Sequence, residues 1–460
     1  MDCSRGPASW TAPVDRPRGS MTHTDQSLRR SPLFRHRGVD WFVVMVSQTP
    51  VAHTGPPSIR TTSWQWLSVL VLSLSTFVVV TSEMLPVGVL TPMADGLRVT
   101  PGTAGFSLTV TGLVTAVTAP AVPRLLGARD RRAVLAAAMV VLALGNVLTA
   151  LAHGFGLLVV SRIVLGIGMG AVWGLAAAVA PRLVAPRDIA LAVSVTVGGV
   201  AAASVVGVPL GTLVSNAFGW RAAFATLAGG AVLLAAGLLL ALPRLPRPEN
   251  PAGTGDRTAD PSGETRGGDV SLPRGRPVLG GLLLVLLLVT AHFAAYTYVR
   301  PVLEERTGLD PGAVALVLLV YGLFGLAGNF AAGSLAVRRA RGTVLGLTAG
   351  IALSIALLAL FGATAGAAGV AVALWGLTYG GLSVAGQIWM TRAAPHRVEQ
   401  VTGVYVGVFT GAIALGAFLG GTVVEAAGIT TLLWSATALA VVAFGVGLTG
   451  GRPAAVKRHP

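Results

Sequence analysis

The sequence predicts an all-α integral membrane protein with twelve transmembrane helices in two pseudo-symmetric six-helix bundles. Three observations predict it. Hydrophobic residues make up 53% of the 460 positions and charged residues 11%, with a mean hydropathy of +0.75. A soluble domain carries about 25% charged residues, so the surplus apolar surface must face lipid. Twelve apolar runs approach or exceed the roughly 20 residues a helix needs to cross a bilayer. Finally, the two halves of the chain match each other at a steady offset of 209 or 210 residues.

The elements follow in order. Residues 1–62 form a polar tail rich in Arg and Pro, whose one apolar piece, Trp41–Val46, is too short for a signal peptide. A start at Met21 or Met45 would leave every span intact, and part of this tail reads as upstream sequence. The first bundle, 63–243, holds runs at 64–90, 104–126, 133–152, 156–180, 190–214 and 221–242. Residues 244–276 are rich in Pro, Gly and charge and read as a flexible linker. The second bundle, 277–450, holds runs at 277–299, 312–337, 343–362, 365–391, 401–424 and 429–450, and a short tail occupies 451–460. Lipid offers no water to unpaired backbone groups, so these runs should be helices. They are apolar all round, without the alternation of barrel strands, and their glycines and alanines let helices approach closely.

A formal net charge of +15 raises nucleic acid as a partner, but the arginines are placed as topology signals. Arg124, Arg129, Arg131 and Arg132 follow the second run, Arg182 and Arg187 the fourth, Arg338, Arg339 and Arg341 the eighth, and Arg392 and Arg397 the tenth. The linker adds six more, whereas the opposite side holds only Arg98, Arg221, Arg300 and Arg306. The positive-inside rule therefore puts both termini and the linker in the cytoplasm. The single cysteine, Cys3, excludes an intramolecular disulfide and any multi-cysteine metal site. The single lysine, Lys457, lies in the C-terminal tail, so there is no Walker A loop and no ATP engine of that type. The run GIGMG at 166–170 sits inside an apolar span, where its glycines serve packing rather than a dinucleotide.

The internal repeat is carried by residues that chance supplies less readily than Gly or Ala. At an offset of 209, Thr81, Glu83 and Pro92 fall on Thr290, His292 and Pro301, and Gly207, Gly211 and Gly219 on Gly416, Gly420 and Gly428. At 210, Arg131 falls on Arg341, and Arg182 and Arg187 on Arg392 and Arg397. Two parallel repeats joined by a cytoplasmic linker suit a transporter whose halves rock about a central site.

These landmarks resemble the major facilitator superfamily, and within it the drug:proton antiporter branch with twelve spans. The family loop Gly-x-Leu-x-Asp-Arg-x-Gly-Arg-Arg-x-x-Leu is matched by PRLLGARDRRAVL (Pro123–Leu135) and by GSLAVRRARGTVL (Gly333–Leu345). Both copies keep the arginines, here Arg131, Arg132 and Arg341, and lack the aspartate, replaced by Gly127 and Val337, so the charge-relay latch ascribed to that loop is in doubt. LVVSRIVLGIGMG matches the family pattern through Arg162, Gly166 and Gly168, and VVGVPLGTL resembles the antiporter motif through Gly207, Pro209 and Gly211. The fragments TSEMLPVGVLTPMA, ARDRR, TYVRPV and WGLTYGG resemble exporters of purine ribonucleosides most, then exporters of arabinose and chloramphenicol. The resemblance spans about residues 62 to 450 and implies proton-driven efflux across the bacterial inner membrane, with multidrug, chloramphenicol or sugar efflux as the alternative.

Within the spans only Glu83 and Arg162 carry a formal charge far from an end. A charge at the bilayer centre costs roughly 2.5–3.5 kcal/mol on insertion scales, so such residues are retained for function. Glu83, beside the helix-weakening Pro86, is the candidate proton carrier; the other reading is a structural carboxylate bonded to backbone or paired with Arg162. Arg162 stays charged and cannot carry the proton, so it either biases a nearby acid, as the resemblance implies, or bonds exposed carbonyls. His292, at the place equivalent to Glu83, either contacts a polar solute or shares the proton, or else is a packed histidine. Tyr296, Asn329, Gln387 and Trp389 are candidates to line the cavity with it, whereas Trp375 and Tyr298 read as interface anchors. Gly207-Val-Pro209-Leu-Gly211 either bends a helix to shape the cavity or simply packs it.

The expected partners are a small-molecule substrate, protons and the lipid bilayer, with no nucleic acid. No cofactor and no metal are expected, and the chain should act as a monomer. An embedded enzyme would need a convergent nucleophile or metal set that the spans lack, and a sensor would need a folded output domain.

Overall fold

The structure is a computed structural model that describes residues 61–125, 129–245 and 276–449. The tail 1–62 apart from its last two residues, nearly all of the linker 244–276 and the tail 451–460 lie outside the described residues. Every described regular element is helical. The first half comprises α1 (Ser63–Leu97), α2 (Pro101–Leu125), α3 (Arg131–Ala150), α4 (Phe155–Val179), α5 (Ile189–Ala202), a π turn at Ala203–Gly207, α6 (Val208–Phe218) and α7 (Trp220–Ala241). The second half comprises α8 (Arg276–Tyr296), the single turn α9 (Val299–Pro301), a π turn at Val302–Arg306, α10 (Pro311–Phe361), α11 (Ala365–Gly380), α12 (Leu382–Ala393) and α13 (Val398–Thr449).

Ten helical stretches among the described residues are long and apolar enough to cross a membrane, with α5–α6 and α11–α12 each counting as one. Two are too long to cross once. The 51 residues of α10 would extend about 77 Å if straight, more than twice a hydrocarbon core of about 30 Å. The helix folds back instead. Arg339 leaves helical geometry at φ −140°, ψ 63°, and Gly328 and Gly350, one in each arm, both pack against the adjacent residues Leu377 and Thr378 of α11. In a straight helix those two glycines would be about 33 Å apart. α13 does the same at Gly428, whose φ of +78° suits a residue without Cβ. Gly416 and Gly447, from its two arms, both meet α8, at Thr290 and Leu284. Counting each arm separately, the ten stretches make twelve legs. The sequence places loops at these two reversals; the helical ladder instead runs on to a single broken residue.

One apolar core fills the first half around Leu72, Leu135, Leu142 and Leu165, and another the second half around Leu288, Ile351, Val372 and Trp375. A third cluster draws from both, joining Leu90, Met93, Trp220 and Phe224 to Ala294, Tyr298 and Leu432. The halves meet where α2 packs on α13, where α6 and the π turn before it pack on α10, and where α1 meets α9. The turns α2–α3, α4–α5, the α10 reversal and α12–α13 form the Arg-rich end of the molecule, and the other turns form the Arg-poor end.

The hydrogen bonds between the halves are concentrated at the Arg-poor end among the described residues. Thr91 Oγ1 donates to Glu304 at 2.5 Å, Asn216 Nδ2 to Pro311 O at 2.8 Å, and Thr103 Oγ1 to Glu425 at 2.9 Å, with Thr100 also donating to Glu425. Tyr298 OH, donating to Ala417 O at 2.9 Å and Gly102 O at 3.4 Å, ties α13 to α2. Farther in, Thr109 Oγ1 donates to Ala414 O at 3.0 Å. Tyr298 is fully buried, which corrects its reading as an interface anchor: its position near the end of a run says nothing of α2 of the first half packed over it.

α1 lies at the centre and contains Pro86 and Pro92. Each proline lacks the N–H that would bond the carbonyl four residues back, so Ser82 O and Gly88 O lose their helical partners. A buried arginine takes each. Arg162 NH1, from the first half, donates to Ser82 O at 3.4 Å, and Arg300 NH1, from the second, donates to Gly88 O at 2.5 Å.

The α1–α6 contact depends on glycine. A Cβ on Gly207 would strike Thr81 Oγ1, and one on Gly211 would strike Leu85, so these glycines bring α6 against α1 on both sides of Glu83. Pro209 follows the π turn as the second residue of α6, where its missing N–H is tolerated. Gly207→Val is therefore expected to force the helices apart and destabilise the protein by about 1–3 kcal/mol. Thermal unfolding of the purified protein in detergent reads this, and an unchanged midpoint would show that the contact is looser than drawn.

Candidate functional site

The centre of the first half is a buried polar cluster on α1, α3 and α4. Glu83 lies far from both ends of α1 and is 8% exposed. It makes no ion pair among the described residues, and in particular none with Arg162; the described pairs are Arg187–Asp188 and Arg300–Glu304. No described hydrogen bond ends on its carboxylate either, so the reading as a bonded structural carboxylate is not met. Arg162 is fully buried, with its guanidinium 5.0 Å from the centroid of Phe224. Beyond the bond to Ser82 O, its Nε and NH2 have no hydrogen-bond partner among the described residues. Asn146 Nδ2 donates to Ser82 Oγ at 3.0 Å and to Leu142 O at 3.1 Å, so α3 holds the residue next to Glu83. Thr149 Oγ1 donates to Ser161 Oγ at 2.9 Å beside Arg162, lengthening the polar strip.

In the second half, aromatic rings from α8, α10 and α11 form a column. His292 stacks on Tyr379 with centroids 3.5 Å apart and planes 2° apart, and on Tyr296 at 5.2 Å and 19°. Tyr296 stacks on Tyr321 at 4.7 Å and 27°. Trp375 stands edge-on to His292, Tyr296 and Tyr321, and its Nε1 donates to His292 Nδ1 at 3.0 Å. A neutral His292 must then carry its proton on Nε2, which, like Tyr321 OH, has no hydrogen-bond partner among the described residues. Trp375 is fully buried, which corrects its reading as an interface anchor. It lies ten residues into α11, about 15 Å from the start of that helix.

The two clusters approach each other across the halves: Val87 of α1 belongs to the same apolar cluster as Tyr296, Tyr321 and Trp375, and Met84, next to Glu83, packs against that cluster as Tyr379 does. Of the residues assigned from sequence, the structure therefore brings Glu83, Arg162, His292 and Tyr296 to one region, with Gly207, Pro209 and Gly211 on the helix packed behind Glu83. It does not bring Asn329, Gln387 or Trp389 to the column. Asn329 and Gln387 each lie eight residues beyond a column ring, Tyr321 and Tyr379, about 12 Å along parallel legs toward the Arg-rich end. Trp389 is buried against α8 near Gly281.

The loop arginines act elsewhere. Arg132 NH1 donates to Leu242 O at 3.2 Å, and the backbone N–H of Arg131 to Leu245 O at 3.1 Å, at the C-terminal end of α7. Arg341 NH2 donates to Gly447 O and Leu448 O, both at 2.9 Å, at the C-terminal end of α13. Each repeat thus uses its arginine to hold the last helix of its own half, where a cation meets unpaired carbonyls and the negative end of the helix dipole. Asp130 caps α3 and accepts from Leu245 N at 2.9 Å. This gives the first loop an anchored carboxylate although the family aspartate is absent.

Sequence reasoning missed Ser82, Asn146, Tyr321, and the Arg300–Glu304 pair with Thr91. A signal existed for Arg300: Pro92 frees a carbonyl four residues back, and the offset of 209 places Arg300 opposite Thr91.

Comparison with known proteins follows the same lines. The model of the family described as Major Facilitator Superfamily matches residues 72–417. The chain is 31% identical over 380 residues to the purine ribonucleoside efflux pump NepI of Escherichia coli O6:K15:H31, covering 82% of this chain and 92% of that protein. It is also 31% identical over 381 residues to the transcription regulatory protein OpdE of Pseudomonas aeruginosa, covering 83% and 92%. Among solved structures, a mutant of the nucleoside transporter NupG matches with TM-score 0.68 at 14% identity, over 84% of this chain and 100% of that one. A bacterial homolog of the human lysosomal transporter Spinster matches with TM-score 0.63 at 15% identity, over 86% and 99%.

Proposed function

The chain belongs to the Major Facilitator Superfamily, and from that premise we propose that it is a proton-coupled exporter of a small, planar, neutral solute of the purine-ribonucleoside kind. Two relatives of equal identity carry different functional names, one an efflux pump and one a regulator, so the site has to choose between them. The observation that carries the choice is that α1, through Met84 and Val87 on the turn that follows the buried Glu83, packs on the second-half core that holds the ring column. A transporter needs both parts: a group that takes and releases a proton, and a surface that holds a solute between two halves able to rock. A regulator needs neither.

The Arg-rich end faces the cytoplasm of a bacterial inner membrane by the positive-inside rule, which puts both termini inside. The concentration of cross-half bonds at the other end makes this the state closed to the outside. In this cycle a solute enters from the cytoplasm beside the column, the outer bonds part, and the solute leaves as a proton reaches Glu83. The proton returns inward as the halves rock back. Arg162, with Nε and NH2 unpaired among the described residues and its NH1 bonded one residue from Glu83 on the α1 backbone, biases that acid as the cycle proceeds. His292 and Tyr296 back the solute surface from within the column, Asn329 and Gln387 line its approach from the Arg-rich end, and Trp389 packs behind that approach against α8.

The test is accumulation of labelled inosine and labelled chloramphenicol in an efflux-deficient host, with and without a protonophore. Expression should lower retained inosine more than chloramphenicol, and the protonophore should erase the difference. Inward-driven uptake, or indifference to the protonophore, would overturn the reading.

A further inference from the structure

We propose that Tyr379 is the platform on which the planar ring of the exported solute stacks, and that this ring sets the preference among planar solutes. The proposal rests on the export reading above and names the contact within that site. The column has an interior and an open end. His292, Tyr296, Tyr321 and Trp375 are all buried, whereas Tyr379 is partly exposed. The interior is also interlocked. Trp375 stands edge-on to three rings and bonds the His292 imidazole, so a solute ring could enter between them only by breaking that bond.

Tyr379 is different. His292 covers one face of its ring, and Phe293 meets it near right angles at 6.1 Å. The residue packs against the apolar cluster that also takes in Val87 and Met84 of α1, the latter next to Glu83. A planar solute resting there continues the column by one ring and places its polar edge near the carboxylate. Stacking on an aromatic face tolerates different bases because every base has a π-face, and its strength grows with ring area. The site should therefore accept nucleosides broadly and favour the two fused rings of a purine over the single ring of a pyrimidine. Solute and proton then occupy one cavity and compete for it, as antiport requires.

Transport by the full chain in proteoliposomes tests this, with labelled inosine and labelled uridine measured side by side. Tyr379→Leu should raise the KM for inosine by about tenfold, and that for uridine by less, so the inosine preference collapses. Tyr379→Trp, which keeps the column filled and enlarges its end, should move the inosine-to-uridine ratio the opposite way. An equal change for both solutes, or an unchanged ratio with Trp, would assign Tyr379 a packing role and sink the platform. If those ratios stay fixed while the wild type exports inosine when driven by a proton gradient, the platform alone falls. If the wild type moves neither solute, the proposed solute class falls with it.

Discussion

Glu83→Gln is expected to abolish proton-driven export while leaving the protein folded in the membrane. Glu83 has no ion pair among the described residues, so a neutral isostere strands no buried counter-charge there. What Gln loses is the ability to gain and release a proton as the cavity changes face. The size of the loss follows from the driving force. One proton crossing about 100 mV supplies about 2.3 kcal/mol, enough to sustain a solute gradient of about fiftyfold. In inside-out vesicles the wild type should approach such a gradient under an imposed pH difference, and the variant should remain at the level seen without one. Solute exchange with no net proton movement should persist, because the ring column is untouched. The pH dependence of the wild type should vanish with the coupling. Retained pH-dependent transport by Glu83→Gln, at wild-type abundance, would remove Glu83 from the mechanism.

How much of this was legible before the structure differs by level. Spans and halves were legible because membrane crossing is set by length and composition, both local properties of the chain. Glu83 and Arg162 stood out for the same reason: a charge within an apolar run is visible without knowing its neighbours. Partners were not legible. Asn146 reads as one polar residue in an apolar run until α3 is seen bonding Ser82. Trp375 reads as an anchor until α8 and α10 surround it with rings. Arg300 reads as a loop arginine near an end, yet it is 3% exposed because α1 of the other half closes over it. The repeat did hold that information indirectly. Equivalent positions in two parallel repeats lie on opposite sides of a common axis, so residues paired by the offset, such as Thr91 and Arg300, can meet across it. The loop arginines fit a family motif, but the partners of Arg132 and Arg341, carbonyls at the end of the last helix of each half, were not legible from it.

Removing Arg300 is expected to open the outer end of the protein. Arg300 NH1 holds Gly88 O at 2.5 Å, and its Nε holds Glu304 at 2.7 Å while Thr91 binds the other oxygen of that carboxylate. One side chain thus binds α1 of the first half to the α9 region of the second. A hydrogen bond to a charged group contributes about 1.5–3 kcal/mol net, a factor of about 10–150 in a two-state equilibrium. Arg300→Ala should shift the population toward the outward-open state by that order. A reporter can read it: with the native Cys3 replaced by Ser, Thr109→Cys places a thiol on the α2–α13 seam. A membrane-impermeant maleimide added from outside should label that thiol about tenfold or more faster with Arg300→Ala, and net export should slow because the closed state is harder to regain. Pro92→Ala supplies an independent check on cause. It restores the N–H that a helix would offer to Gly88 O, so the carbonyl no longer needs Arg300. Labelling should rise in the same direction but by less, since the contact with Glu304 survives. If Arg300→Ala leaves labelling unchanged, the outer end is held by something else. If Arg300→Ala accelerates it and Pro92→Ala does not, the Glu304–Thr91 contact, rather than the carbonyl that Pro92 frees, is what keeps the halves closed.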